Sequence, residues 1–128
     1  MFETPDSKIQ EPSGDDGGAA DGVTLEKRDE ALVLRVTGAL DLSLAPKLRQ
    51  FVDRAQRLAP SVLVIDLSEV SFLASAGMAE LVRAHRSTPS IAVRVVATGR
   101  VTVRPLQLTR LTDELVIAPT LSAALAPA

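Results

Sequence analysis

The sequence predicts one α/β domain: a mixed β-sheet of about five strands with about four helices packed on it. Three observations carry that prediction. Two alternating stretches, "VTLEKR" and "ALVLRVTG", flank Asp29-Glu30 and read as a hairpin. The run "VLVID" has no polar alternation, as a central strand buried on both faces requires. Between them, Leu44, Leu48, Phe51, Val52, Ala55, Leu58 and Ala59 repeat at three-and-four spacing, the stripe of an amphipathic helix.

The elements follow in order. In "ALVLRVTG", Leu32, Leu34 and Val36 point one way and Val33 and Arg35 the other, with Gly38 ending the strand. The first helix opens with Ser43 as N-cap and Pro46 in its first turn, where a missing N–H costs little, and Pro60 stops it. After "VLVID", Leu67-Ser68-Glu69-Val70 is expected to turn. A second helix then runs from about Ser75 to His85, with Met78, Leu81 and Val82 inward. "IAVRVVA" is the next strand, closed by Thr98-Gly99. Residues 102–110 read as a third helix with Pro105 in its first turn, "LVIA" as a short edge strand, and "PTLSAALA" as a last helix capped by Thr120. A hairpin followed by strand–helix alternation gives a mixed sheet.

Residues 1–22 differ from the rest. They are rich in Gly, Pro, Ser and Asp and carry Glu3, Asp6, Glu11, Asp15, Asp16 and Asp21 against Lys8, a net charge of −5. Such a segment buries too little apolar surface to offset its chain entropy and is expected to be a disordered acidic tail, with the domain at 23–128. The domain itself is mildly basic, at +3.

Composition excludes several function classes. The chain has no cysteine, so there is no thiolate nucleophile, disulfide or Cys-based metal site, and one histidine makes a zinc site of the usual kind implausible. With three Phe and no Tyr or Trp, aromatic stacking on single-stranded nucleic acid is disfavoured, and a charge of +3 is too small for a nucleic-acid surface. No apolar run approaches the ~20 residues of a membrane span, and the first residues lack the basic-then-apolar order of a secretory signal. A cytoplasmic protein is expected.

Catalytic motifs fail on spacing. There is no phosphate-binding G-x-x-x-x-G-K-[ST], no G-x-G-x-x-G, and around Ser75 the first glycine of a nucleophile elbow is missing. His85 lies ten positions along the same predicted helix, roughly 15 Å of axial rise, too far to serve Ser75 as a base. His85 reads as a partly buried helix-end residue. Asp41 and Asp66 lie at predicted strand ends, where ligand groups occur in α/β proteins, but each reads more readily as a turn or cap carboxylate. Ser75 sits among Ala74, Ala76 and Gly77 at a strand-to-helix junction. Taken alone it is a helix N-cap. Its small neighbours also leave the hydroxyl open to modification by another protein.

Three stretches resemble one family. "GALDLSLAPKLR" is similar to a G-x-L-D segment leading into an A-P-x-L helix. "VLVIDLSEVSFLASAGMAEL" resembles a strand ending in D-L-S followed by V-x-F-[ILM]-D-S-S-G-L. "VRPLQLTRLTDELVIAPTLSAAL" is similar to a closing helix, an L-T-G-L turn and a last helix. Together they resemble the STAS domain of bacterial anti-sigma factor antagonists, from about Val23 to Leu125. The resemblance assigns phosphorylation to Ser75 and partner binding to Asp41, Ser43, Ala74, Ala76, Gly77 and Met78. Three departures stand out: Ala74 replaces the usual Asp, Ala76 a common second Ser, and Arg110 a frequent Gly. The first removes a carboxylate beside the acceptor. The last is expected to cost ~1 kcal/mol if that turn is left-handed.

The resemblance implies a partner-switching protein and not an enzyme, with no cofactor and no metal. Unmodified, it would bind an ATP-using anti-sigma factor serine kinase and so release a sigma factor. Phosphorylation of Ser75 would end the binding and a serine phosphatase would restore it. No direct contact with nucleic acid or membrane is implied, and the chain would be a monomer or weak dimer. Two alternatives stay open: a phosphorylation-independent scaffold on the same fold, and a small-ligand sensor using a pocket near Asp41 and Asp66.

Overall fold

The computed structural model describes residues 17–20 and 22–127. Six strands form one sheet in sequential order: β1 (Gly17–Ala20), β2 (Val23–Arg28), β3 (Ala31–Leu40), β4 (Val62–Leu73), β5 (Ala92–Val96) and β6 (Val116–Ala118). The β1–β2–β3 pairs are antiparallel and the β3–β4–β5–β6 pairs parallel. Each parallel pair is joined through a helix: α1 (Ala45–Arg57), α2 (Ser75–Ser87) and α3 (Arg100–Leu108), with a 3-10 turn at Leu111–Asp113. A last helix, α4 (Leu121–Leu125), follows β6.

Right-handed crossovers put α1, α2 and α3 on one face of the sheet. There, Leu48, Val52 and Ala55 of α1, Leu81 and Ala84 of α2, and Leu106 of α3 share one buried cluster with Leu32, Leu34, Val36, Leu63, Ile65, Val93 and Val95. The alternate residues Val33, Val64 and Val96 point to the opposite face, where Ala124 of α4 covers them. This is the period-two segregation expected from "ALVLRV", and "VLVID" is buried on both faces as its unbroken apolarity requires.

The expected five strands and four helices are all present, with several boundaries moved. Residues Gly17–Ala20, expected within a disordered tail, form β1 by pairing with β2. Backbone pairing needs no apolar side chain, so "GGAA" gives no periodic signal. The remainder of the expected acidic tail, residues 1–16 and 21, lies outside the described residues. Gly38 does not end β3: it has φ +85° and the strand continues to Leu40. Leu67–Val70 does not turn either; it remains in β4 as a bulged stretch. Helix α1 ends at Arg57, and Ala59 takes a left-handed φ of 52° before Pro60. Leu58 and Ala59 thereby leave the apolar stripe and are exposed. Helix α3 starts two residues earlier than expected, so Pro105 is interior and not in the first turn. The final helix is capped as expected: Thr120 Oγ1 accepts from Ala123 N–H at 3.0 Å.

A junction at the carboxyl ends of two parallel strands

The site residues gather where β3 and β4 run past the rest of the sheet. The two strands pair as far as Leu40 and Leu73, but β4 carries one extra residue between Asp66 and Glu69 and another at Ser71. Bulges of this kind bend a strand and re-aim its side chains. Asp66 helps fix the first bulge. Only 3% exposed, it accepts from Ser68 N–H at 2.9 Å and pairs with Arg35 Nε at 3.5 Å. It therefore sits within β4 in a structural role, not at a strand end beside Asp41 as the sensor reading needed.

Beyond the bulges, Ala74 N–H donates to the Leu40 carbonyl at 3.0 Å, which ties the β4–α2 junction to the end of β3. Gly77 tightens the same contact. A Cβ there would lie 2.5 Å from Leu40 Cγ and 2.9 Å from the Leu40 carbonyl oxygen, so only glycine fits without movement. Met78 continues the helix through Met78 N–H to Ala74 O at 3.0 Å, and its sulfur accepts from Thr109 Oγ1 at 3.7 Å, linking α2 to the end of α3.

Ser75 is not the N-cap of α2. That position is held by Ala74, in extended conformation and without a side-chain cap, and Ser75 is the first helical residue. Its side chain is exposed, and none of the hydrogen bonds among the described residues uses its hydroxyl. Ala76 beside it is half-buried. The N-terminus of α2 therefore presents N–H groups without a capping oxygen, next to a free hydroxyl.

Asp41 stands at the end of β3, one residue beyond Leu40. Ser43 is not the N-cap of α1, and Asp41 instead ties down the turn that leads into the helix. Asp41 Oδ1 accepts from Ser43 N–H at 3.1 Å, Ser43 Oγ–H at 2.9 Å and Leu44 N–H at 3.2 Å. Leu44, the N-cap residue of α1, makes no side-chain cap bond of its own. The Ser43 hydroxyl first, and then the Leu44 N–H, hold the Asp41 carboxyl below its ordinary range, so Asp41 is firmly ionised. The signal was present in sequence: an Asp two residues before a Ser, at a helix start, is the pattern of an Asx turn.

The six expected partner-binding positions and Ser75 thus fall on one junction, with Leu40 as the residue that sequence reasoning missed. Its contribution is a backbone carbonyl and a buried side chain, which no motif displays. His85 lies at the other end of α2, in its last turn, near the bidentate Arg86–Glu114 pair at 2.6 and 2.8 Å. An open groove of about 460 Å³ lies elsewhere, on α3, lined by Gly99, Arg100, Val103, Arg104 and Gln107, and touches neither Asp41 nor Asp66. Among the described residues, no group of three His, Cys, Asp or Glu side chains is arranged to hold a metal, and no helix is long and apolar enough to cross a membrane.

Comparison with known proteins agrees with this architecture. The STAS domain family model matches residues 22–124. The chain is 37% identical over 87 residues to the anti-sigma-F factor antagonist RsfB of Mycobacterium tuberculosis, covering 67% of this chain and 71% of that protein. It superposes on the crystal structure of an anti-sigma factor antagonist from Mycobacterium paratuberculosis with a TM-score of 0.77 and 36% identity, over 80% of this chain and 89% of that one. A putative anti-sigma factor antagonist from Thermotoga maritima shares the fold at a TM-score of 0.70 and 21% identity, over 77% and 86% of the two chains. The sheet and the helix order are those of the STAS domain, and the chain belongs to the anti-sigma factor antagonist family, whose members are not enzymes.

Proposed function

We propose that this antagonist works by partner switching at Ser75. Unmodified, it binds an anti-sigma factor that is also an ATP-using serine kinase, and a sigma factor is released. Phosphorylation of Ser75 ends that binding, and a serine phosphatase restores it. The exchange takes place in the cytoplasm. Asp41, Ser43, Ala74, Ala76, Gly77 and Met78 form the contact surface or its immediate support.

One observation carries this reading: the Ser75 hydroxyl is exposed, unengaged, and seated at the first position of α2 among small residues. An N-cap serine would have its oxygen committed to the helix. At this position the hydroxyl is spare, and small neighbours leave room for a kinase active site. A phosphoryl group adds about −1.5 to −2 charge, which the uncapped N–H groups and the helix dipole tolerate. The fold need not change. The cost falls on the complex, where an added anion must be desolvated against the partner, a loss of several kcal/mol.

The test is direct. Wild type, Ser75→Ala and Ser75→Glu are compared for binding to purified anti-sigma factors from the same genome. Wild type and Ser75→Ala should bind, Ser75→Glu should lose at least about 100-fold in affinity, and ATP with the partner should add one phosphoryl mass to wild type only. Equal binding by all three variants refutes the switch. That result would instead favour the phosphorylation-independent scaffold, for which the absence of an acidic side chain at Ala74 is the supporting observation.

A further inference from the structure

Phe72 is a surface feature that the chemistry of Ser75 does not explain. On β4, Val70 and Leu73 enter the core, and an aromatic ring between them is a residue type that sheets readily bury. Instead the extra residue at Ser71 turns Phe72 away, and it is 56% exposed, outside both buried clusters. In register it faces Ala39 of β3. Three residues beyond Ala39 stands Leu42, 79% exposed. Between them Leu40 pairs with Leu73 and holds Ala74 N–H. Two large exposed apolar side chains therefore flank the junction that bears Ser75, one on β4 and one two residues beyond the end of β3.

We infer that Phe72 and Leu42 are the apolar anchors through which the anti-sigma factor docks over Ser75, with Phe72 entering an apolar pocket of that partner. The inference rests on the partner-switching reading. Continuity carries it: Phe72 is three residues from Ser75 on the same connection, and its register partner Ala39 is exposed and adjoins Leu40, whose carbonyl holds Ala74 N–H. The charged side chains within residues 37–43 and 69–78 are Asp41 and Glu69, both acidic, which opposes a nucleic acid or an anionic membrane and favours a protein. Protein interfaces concentrate their affinity in aromatic anchors seated in desolvated pockets, ringed by near-neutral contacts that exclude water. Ser75 lies in the position of that ring. A charge placed there opens the seal around the anchor, so one phosphoryl group gains leverage over the whole interface.

The experiment measures the affinity of wild type, Phe72→Ala, Leu42→Ala and Val116→Ala for the purified anti-sigma factor, with melting temperatures and sedimentation alongside. Val116 is 52% exposed on the edge strand β6, two strands from β4, and serves as the control. Phe72→Ala should bind about 30-fold more weakly or worse, Leu42→Ala should be weakened at least several-fold, and Val116→Ala should match wild type. As a kinase substrate, Phe72→Ala should show a raised KM with kcat retained, at a temperature where its melting curve shows it fully folded, since unfolded substrate would raise the apparent KM in the same way. If Phe72→Ala proves unstable, Leu42→Ala alone decides. Binding by both variants within threefold of wild type overturns the inference and leaves the switch at Ser75 standing. Failure of wild type to bind any anti-sigma factor overturns both. A dimer of the wild type that Phe72→Ala dissolves shows the patch to be a contact between copies and overturns the inference.

Discussion

Replacing Gly77 by alanine tests the central geometric claim, that the β4–α2 junction is built against Leu40. Two effects oppose each other. In a helix interior, alanine is favoured over glycine by about 1 kcal/mol, and less at the third residue of α2. Against that, the new Cβ would stand 2.5 Å from Leu40 Cγ and 2.9 Å from the Leu40 carbonyl oxygen. Leu40 is fully buried, so its side chain has nowhere to swing, and its carbonyl already accepts from Ala74 N–H. Forcing a methyl into a filled site costs about 1–3 kcal/mol. The steric cost exceeds the helix gain, and Gly77→Ala should be less stable by about 1–2 kcal/mol. For a domain of this size, each kcal/mol moves the melting temperature by about 4–8 °C, so a drop of roughly 5–15 °C is expected. Thermal unfolding followed by circular dichroism reads it, with denaturant unfolding as the check. A melting temperature equal to or above that of wild type would mean that the junction has slack, and the account of why glycine follows Ser75 by two residues would be wrong.

Further expectations concern the supports around the site. Arg110 takes φ +64° and ψ +20° at the turn after α3, a left-handed conformation that costs a residue with a Cβ. Arg110→Gly should therefore gain up to about 1 kcal/mol, read as a higher denaturant midpoint; no gain would show that its weak 3.5 Å contact with Asp113 matters more than the backbone. Thr120→Ala removes the one oxygen capping α4 and should cost about 1 kcal/mol. If α4 were already detached in solution, the substitution would leave stability unchanged. Asp41 has a folded-state pKa below its unfolded value, so its contribution is fully present above about pH 4 and is lost as pH falls through the folded pKa. Asp41→Asn should flatten that part of the acid limb of a stability–pH curve; superimposable limbs would show that the three donors do not favour the charged form.

Much of the fold was legible because most segments carry a single period. Leu32, Leu34 and Val36 alternate without interruption, and the stripe from Leu44 to Ala55 repeats at helical spacing, so both elements follow from side chains alone. Legibility failed where the backbone acts. Chain segment Gly17–Ala20 pairs through peptide groups, with no pattern to read. The two bulges of β4 break the alternation of "LSEVSFL", which made Leu67–Val70 look like a turn and concealed the outward orientation of Phe72. At the candidate site, the motif around Ser75 marks a strand-to-helix junction but not its geometry. The one-residue shift that makes Ala74 the N-cap and frees the Ser75 hydroxyl depends on the Leu40 carbonyl, which has no sequence signature. Ser43 reads as the cap of α1 because serine is a favoured N-cap residue, whereas Leu44 holds that position without a side-chain bond and Asp41 Oδ1 binds the turn that leads into the helix.

The same supports bear on how a switch at Ser75 would work. Its surroundings are pinned from three directions: Ala74 by Leu40, Gly77 by lack of space, and the facing turn by the three bonds to Asp41 Oδ1. A site fixed in this way has little room for a second conformation, so differential affinity must arise at the interface itself. Moving a complex from 99% bound to 1% bound at fixed concentrations takes about 10⁴-fold, or about 5.5 kcal/mol. A new dianion held against a partner without a matching cation loses several kcal/mol in desolvation alone. Local electrostatics therefore reach the required magnitude with no movement of the fold. Hydrogen exchange of the phosphorylated and unmodified forms distinguishes the two cases. Protection altered only at the start of α2 fits a local switch, whereas changes spreading through β3 and α1 would require a conformational mechanism that these contacts do not provide.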